Sequence, residues 1–183
     1  MANTPVKLND GATIPLLAFG TGSTLYSKDA QHLITSAINA GFTHLDGAQW
    51  YGNEESLGAG IAAAGKARDQ LFITTKLKKL PEGKTVRDTL IDSLAKLRVD
   101  YVDLFLIHTP LDFSYKEPGC LKALWREMEA VKKEGLTRSI GVSNFRVEQL
   151  RETIDDVEVI PSINQVGFDL EDSQSAMLRH LAD

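Results

Sequence analysis

The sequence predicts a parallel α/β fold, and three observations carry that prediction. Short apolar, β-prone runs recur at IPLLAFG (14–20), FTHLD (42–46), LFITTK (71–76), YVDLFLIH (101–108), TRSIGVS (137–143) and EVIPSINQ (158–165), with helical patterns between them. The runs are nearly continuous in apolar residues, as strands covered on both faces require. Five of them stop at polar residues: Asp46, Lys76, His108, Ser143 with Asn144, and Asn164 with Gln165. Strands alternating with helices make βαβ units, which leaves an open doubly wound sheet or a barrel.

The elements follow in order. VKLNDGATIPLL carries Asp10-Gly11 between two short runs, a hairpin signal ahead of the first parallel strand. Segment 28–40 has helical spacing, with Leu33, Ile34, Ala37 and Ile38 on one face and Gly41 as its C-terminal cap. A further helix is expected to begin after Tyr51. The helix from Val86 sets Leu90, Leu94 and Leu97 on one stripe; the next sets Leu121, Leu124, Met128 and Val131 before Gly135. Each stripe is assigned to core. The final SAMLRHLAD reads as the first turns of a sixth helix, with Met177, Leu178 and Leu181 as its apolar stripe.

Composition narrows the function classes. With 183 residues, 43% of them apolar, the chain can bury one substantial core, and residues 1–183 are read as a single domain. The net charge of −5 is interspersed, with no basic patch to steer the chain to nucleic acid or an anionic membrane, and neither is expected as a partner. No leader pattern opens the sequence and no segment reaches a membrane span, so the expected location is cytoplasmic. Lone Cys120 is a structural or surface thiol, since it has neither an internal disulfide partner nor a zinc pattern. FGTGSTL lacks the third glycine of a dinucleotide fingerprint, and before EGKT the first P-loop glycine is replaced by Lys78. His32 and His180 are read as surface residues and His44 as a packed or bonded one.

In a parallel barrel or sheet the C-terminal strand ends converge on one face, where active sites are built. Asp46, Lys76, His108 and the amides are therefore candidates for one pocket, joined by Tyr51 at the end of HLDGAQWY. A phenol is a poor acid at neutral pH unless a neighbouring cation favours its phenolate, and Lys76 can supply that cation. Asp46 would hold the lysine, His108 would orient a carbonyl oxygen, and Tyr51 would deliver the proton. Hydride would have to come from a nicotinamide, whose carboxamide Asn144 and Gln165 could grip. On chemistry alone, a structural Asp46–Lys76 pair with Tyr51 as a helix-start aromatic stands equally open. Metal-assisted chemistry ranks last and no metal ligands are assigned, because only Asp46 and His108 qualify and Lys76 between them would repel a cation.

In their order, VKLNDGATIP, FGTG, LDGAQWYGNEESLG, ITTKL, LIHTP, GVSNF and INQV resemble the aldo-keto reductases over nearly the whole chain. The resemblance implies a TIM (β/α)8-barrel-type fold with about six of eight βα units present, preceded by the hairpin. It implies a catalytic tetrad of Asp46, Tyr51, Lys76 and His108, with Tyr51 as general acid. It places Ser143, Asn144 and Gln165 at the nicotinamide carboxamide, and Thr21 with Asp46 at the nicotinamide half of the cofactor. The implied activity is reduction of an aldehyde or ketone to an alcohol; the cofactor is NADPH, and NAD is not excluded. Trp50, Leu111 and Phe113 are the candidate substrate-pocket walls beside His108.

The pattern is not followed throughout. Many relatives carry an aromatic where Gly22 stands and Trp where Thr109 stands, which implies a wider or differently filled pocket. After INQV this chain reads GFDLEDSQ in place of the family's Glu and His-Pro pair. Six units are fewer than a closed barrel needs, so the expectation is a C-terminally truncated member with open strand edges near Leu16 and Ile160 and a tendency to self-associate. The alternative function is a catalytically impaired barrel that serves as a cofactor-binding or protein-interaction module.

Overall fold

Residues 5–113 and 119–167 are described by a computed structural model. The chain opens with β1 (Pro5–Lys7) and β2 (Thr13–Pro15), antiparallel, with Val6 opposite Ile14. The Leu8 amide donates to the Ala12 carbonyl at 2.8 Å and the Gly11 amide to the Leu8 carbonyl at 3.1 Å, which closes the turn. Gly11 sits at φ 88°, the left-handed position such a turn requires. Asp10 completes it by accepting the Ala12 amide at 3.0 Å.

Among the described residues six parallel strands follow: β3 (Ala18–Gly20), β4 (His44–Asp46), β5 (Phe72–Leu77), β6 (Val102–Ile107), β7 (Thr137–Ser143) and β8 (Asn164–Gln165). They hydrogen-bond in chain order, each to the next, and all in parallel. A doubly wound sheet reverses its strand order at a switch point; this sheet never does, so it is the barrel-type wall.

Two runs lose more than two residues as strands. IPLLAFG is divided, since its start belongs to the hairpin, Leu16 and Leu17 are exposed, and the parallel strand begins at Ala18. Pro15 has no amide hydrogen to continue a ladder. In EVIPSINQ only Asn164 and Gln165 belong to β8, and Ile160 is 61% exposed. Upstream, the Glu129 carboxylate accepts the amides of Glu158 and Val159, and Trp125 Nε1 donates to the Val159 carbonyl at 2.8 Å. Side chains thus take backbone groups that a strand would have used.

The helices are α1 (Gln31–Asn39), α2 (Glu54–Ala64), α3 (Val86–Leu97), α4 (Cys120–Lys133) and α5 (Val147–Ile154). α1 starts at Gln31 instead of residue 28, because Asp29 Oδ1 accepts the Gln31 amide at 2.9 Å. It ends as expected at Gly41, φ 102°, with Phe42 N–H to the Ala37 carbonyl and Gly41 N–H to the Ile38 carbonyl. Leu33 leaves the expected stripe and is 49% exposed, while Ile34, Ala37 and Ile38 are buried. The stripes of α3 and α4 are buried as read. The stripe of Met177, Leu178 and Leu181 lies outside the described residues.

Pleating sorts the strands into two environments. Leu45, Ile73, Phe105, Ile107, Ile140 and Val142 face the helices and form the larger core. On the opposite face Phe72, Leu104 and Leu106 pack with Leu8 and Ile14, so the hairpin covers the lower inner face. Asp10 pairs with Lys132 at 3.2 Å and Asn9 Nδ2 donates to the Pro161 carbonyl at 3.0 Å, fixing the hairpin turn beneath the sheet. The upper inner face is left to polar side chains. Among the described residues no helix is long and apolar enough to cross a membrane.

Candidate active site

The β4–β5 register pairs Asp46 with Thr74, so Asp46 and Lys76, two residues further along, lie on one face. Their side chains form an ion pair between Lys76 Nζ and Asp46 Oδ1. Lys76 is 2% exposed and Asp46 7%, so neither charge is solvated by bulk water. The ammonium also donates to the Gly47 carbonyl at 3.0 Å, and Gln165 Nε2 donates to Asp46 Oδ2 at 3.0 Å. Both carboxylate oxygens are therefore engaged, as a buried ion pair needs.

Tyr51 ends a single 3-10 turn, Gln49–Tyr51, and Gly52 at φ 66° reverses the chain directly after it. This returns the phenol over the strand ends, where its oxygen lies 3.5 Å from Lys76 Nζ. His108 is the first residue beyond β6, and its amide donates to the Leu77 carbonyl at 3.2 Å. Its ring meets Tyr51 edge-on at 5.5 Å between centroids and Trp50 at 5.9 Å. Burial pushes the His108 imidazole down to about 4; the Lys76 ammonium pushes the same way, and the Asp46 carboxylate opposes them. At neutral pH the ring is uncharged. Its Nδ1 is buried and without a hydrogen-bond partner among the described residues.

The remaining polar candidates ring this pair. Thr21 donates from both its amide and its hydroxyl to the Asp46 carbonyl, at 2.9 and 3.2 Å. Ser143 Oγ donates to the Gln165 carbonyl at 2.7 Å, and the Asn144 amide donates to the same oxygen at 3.0 Å. Asn144 sits at φ 60°, a left-handed conformation that asparagine tolerates, and its Nδ2 donates to the His108 carbonyl and to Ser143 Oγ, each at 3.0 Å. Gln165 Oε1 is buried with no partner among the described residues. Trp50 is 37% exposed beside His108. Leu111 is 70% exposed on the turn after β6, and Phe113 packs against the helix-side core. His44 is packed and bonded, with Nε2 2.9 Å from Thr74 Oγ1.

Asn53 was not legible as part of this assembly. Its position before α2 suggests a helix cap, yet its side chain caps nothing. Instead Nδ2 donates to the carbonyls of Thr21 and Leu25, both at 2.8 Å, and ties the β3 loop to the Tyr51 turn. Ser27 adds an amide bond to the Tyr51 carbonyl at 2.8 Å. Chemically, a phenol beside a buried ammonium and a neutral imidazole can deliver a proton to an oxygen placed between them.

Comparison with known proteins gives an independent view. A sequence model described as Aldo/keto reductase family matches residues 16–183. Glyoxal reductase of Bacillus subtilis is 39% identical over 164 residues, covering 89% of this chain and 57% of that protein. The NAD/NADP-dependent indole-3-acetaldehyde reductase of Schizosaccharomyces pombe is 36% identical over 165 residues, covering 86% of this chain and 57% of that protein. The crystal structure of Bombyx mori aldo-keto reductase in complex with NADP matches with TM-score 0.85 at 35% identity, over 100% of this chain and 64% of that one. The chain spans a little over half the length of these curated relatives.

Proposed function

This chain belongs to the aldo/keto reductase family, and on that premise we propose that its site reduces an aldehyde or ketone to an alcohol at the expense of NADPH. The observation that carries the reading is the placement of the Tyr51 hydroxyl 3.5 Å from a buried, Asp46-paired ammonium. Tyr51 gives its proton to the carbonyl oxygen, and the Lys76 ammonium stabilises the negative charge left on the phenol. Asp46 and the Gly47 carbonyl hold that ammonium in place. His108, neutral at pH 7, is a hydrogen-bond donor that orients the oxygen and not the acid that protonates it.

The residues present fit a nicotinamide. Gln165 Oε1, buried and without a partner among the described residues, can accept from an N–H donor, and a carboxamide has one. Gln165, Asn144 and Ser143 would hold that end, with Thr21 and Asp46 alongside. When bound, the cofactor supplies the hydride that reduces the carbonyl carbon. NADPH is chosen over NADH by likeness to a relative described in complex with NADP; the Schizosaccharomyces pombe relative is described as using either. Small dicarbonyls such as glyoxal are the first substrates to try, given the Bacillus subtilis relative. Trp50 and Leu111, exposed beside or beyond His108, are proposed as pocket walls, with Phe113, partly buried against the helix-side core, as a third.

The test is NADPH oxidation by the purified protein with glyoxal or methylglyoxal, compared with Tyr51→Phe. Loss of nearly all turnover in the variant, with NADPH binding retained by fluorescence, is the expected result. Full turnover by Tyr51→Phe would remove the proposal.

A further inference from the structure

Behind the Tyr51–Lys76 pair, on the helix side of the sheet, runs a second polar assembly. Thr75 Oγ1 donates to Glu54 Oε1 at 2.7 Å, and Ser93 Oγ donates to Glu54 Oε2 at 3.2 Å. Gln49 Nε2 donates to Ser93 Oγ at 3.0 Å and to the Thr89 carbonyl at 3.2 Å. Gln49 Oε1 in turn accepts the Lys78 amide at 2.9 Å. Glu54, Thr75 and Ser93 are 4%, 0% and 1% exposed, so these bonds are made away from bulk water.

The positions of the members are informative. Gln49 and Glu54 lie on either side of Tyr51 in sequence, and Thr75 and Lys78 lie on either side of Lys76. The bonds therefore join the segment that carries the phenol to the strand that carries the ammonium, with α3 as the third support. A carboxylate at the start of α2 is favoured by the helix dipole, but the dipole asks for no burial. Burial pushes the Glu54 carboxyl up, and its two hydroxyl bonds only partly oppose that. An apolar residue would fill the space without the desolvation cost, whereas directional bonds fix position.

We propose that Glu54, Ser93 and Gln49 are positioning residues that set the placement of Tyr51 relative to Lys76, through a bracket anchored on β5 at Thr75 and at the Lys78 amide. The inference rests on the carbonyl-reductase reading, and its test must not depend on turnover alone. The chain has two tryptophans: Trp50, next to Gln49, and Trp125, buried on α4 with its Nε1 on the Val159 carbonyl. Labelling with 5-fluorotryptophan gives each a fluorine resonance, assigned with Trp50→Phe. Ser93→Ala removes the hydroxyl between Glu54 and Gln49 with little change in volume, and Ser93→Thr keeps a hydroxyl.

In Ser93→Ala the Trp50 resonance is expected to shift or broaden while Trp125 stays put, and Ser93→Thr to restore the parent spectrum. Turnover in Ser93→Ala should fall about tenfold in kcat with KM nearly unchanged, the signature of a misplaced acid. An unmoved Trp50 resonance overturns the proposal. So does an equal shift at both tryptophans, which would make Ser93 a general packing residue. If the parent protein reduces no carbonyl, the functional reading fails, and the fluorine spectra still decide whether the bracket positions the turn.

Discussion

Gly22 and Tyr51 are in contact face to backbone: a Cβ on Gly22 would stand 3.0 Å from Tyr51 Cζ and 3.3 Å from both flanking ring carbons. The glycine lies under the atom that bears the phenolic oxygen. Any side chain here presses first on the proposed acid. Gly22→Ala is therefore expected to displace the phenol by a few tenths of an ångström and to lower kcat about tenfold, with NADPH affinity little changed. Steady-state kinetics with cofactor titration checks it; an unchanged kcat would show that the loop yields instead of the ring.

The Asp46–Lys76 pair makes a prediction about stability. Lys76→Met removes the cation and leaves the Asp46 carboxylate buried, with Gln165 still bonded to it. Stranding a buried charge costs about 3–5 kcal/mol, whereas removing both charges costs far less. The double variant Asp46→Asn with Lys76→Met should thus be more stable than Lys76→Met alone in urea unfolding, though equally inactive. Simple additivity of the two single losses would argue that the charges are not coupled.

Much of this was legible from the sequence because it depends on periodicity. The stripes Leu90, Leu94, Leu97 and Leu121, Leu124, Met128, Val131 fix which helix face is buried, and polar residues at the ends of apolar runs fix where a site can form. Periodicity leaves a barrel-type wall and a doubly wound sheet both open; the family resemblance implies the barrel, and the strand order, which no local pattern contains, bears it out. The strands stop short of the apolar runs at Pro15 and at 158–163 because apolar residues there serve a hairpin link and a loop pinned by Glu129 and Trp125. Asn53, Gln49 and Glu54 carry no distinguishing sequence signal for another reason. Polar residues near a helix start have ordinary capping roles, and only the fold shows that Asn53 and Glu54 reach across to other elements.

Close packing of α2 on α3 supplies a test remote from the chemistry. A Cβ on Gly58 would lie 2.2 Å from the Lys96 carbonyl oxygen and 2.8 Å from Leu97 Cα, both backbone atoms that cannot swing aside. Although alanine is the better helix former, Gly58→Ala must force the helices apart. Its expected cost is about 3 kcal/mol, read as a lower urea midpoint with unchanged slope. A variant as stable as the parent would contradict the α2–α3 approach.

The depressed imidazole of His108 predicts how stability depends on pH. In the folded protein it titrates at about 4, against 6.5 for an unperturbed histidine. Above pH 6.5 both states hold it neutral, so its contribution is complete. As pH falls between 6.5 and about 4 the unfolded chain takes up a proton that the folded site refuses, and stability is lost by at most about 1.4 kcal/mol per pH unit. Buried His44, also lowered, acts in the same direction. Glu54 acts oppositely: its carboxyl is raised above the ordinary 4.5, so protonation in acid favours the folded state. Only the difference between parent and variant isolates His108. His108→Gln, which cannot titrate, should flatten the fall in urea stability from pH 6.5 towards 4 while leaving the contributions of His44 and Glu54 in place. Parallel curves for the two proteins across that window would show that His108 takes up its proton equally well in the folded and unfolded states, and would remove the argument that it stays neutral beside Lys76.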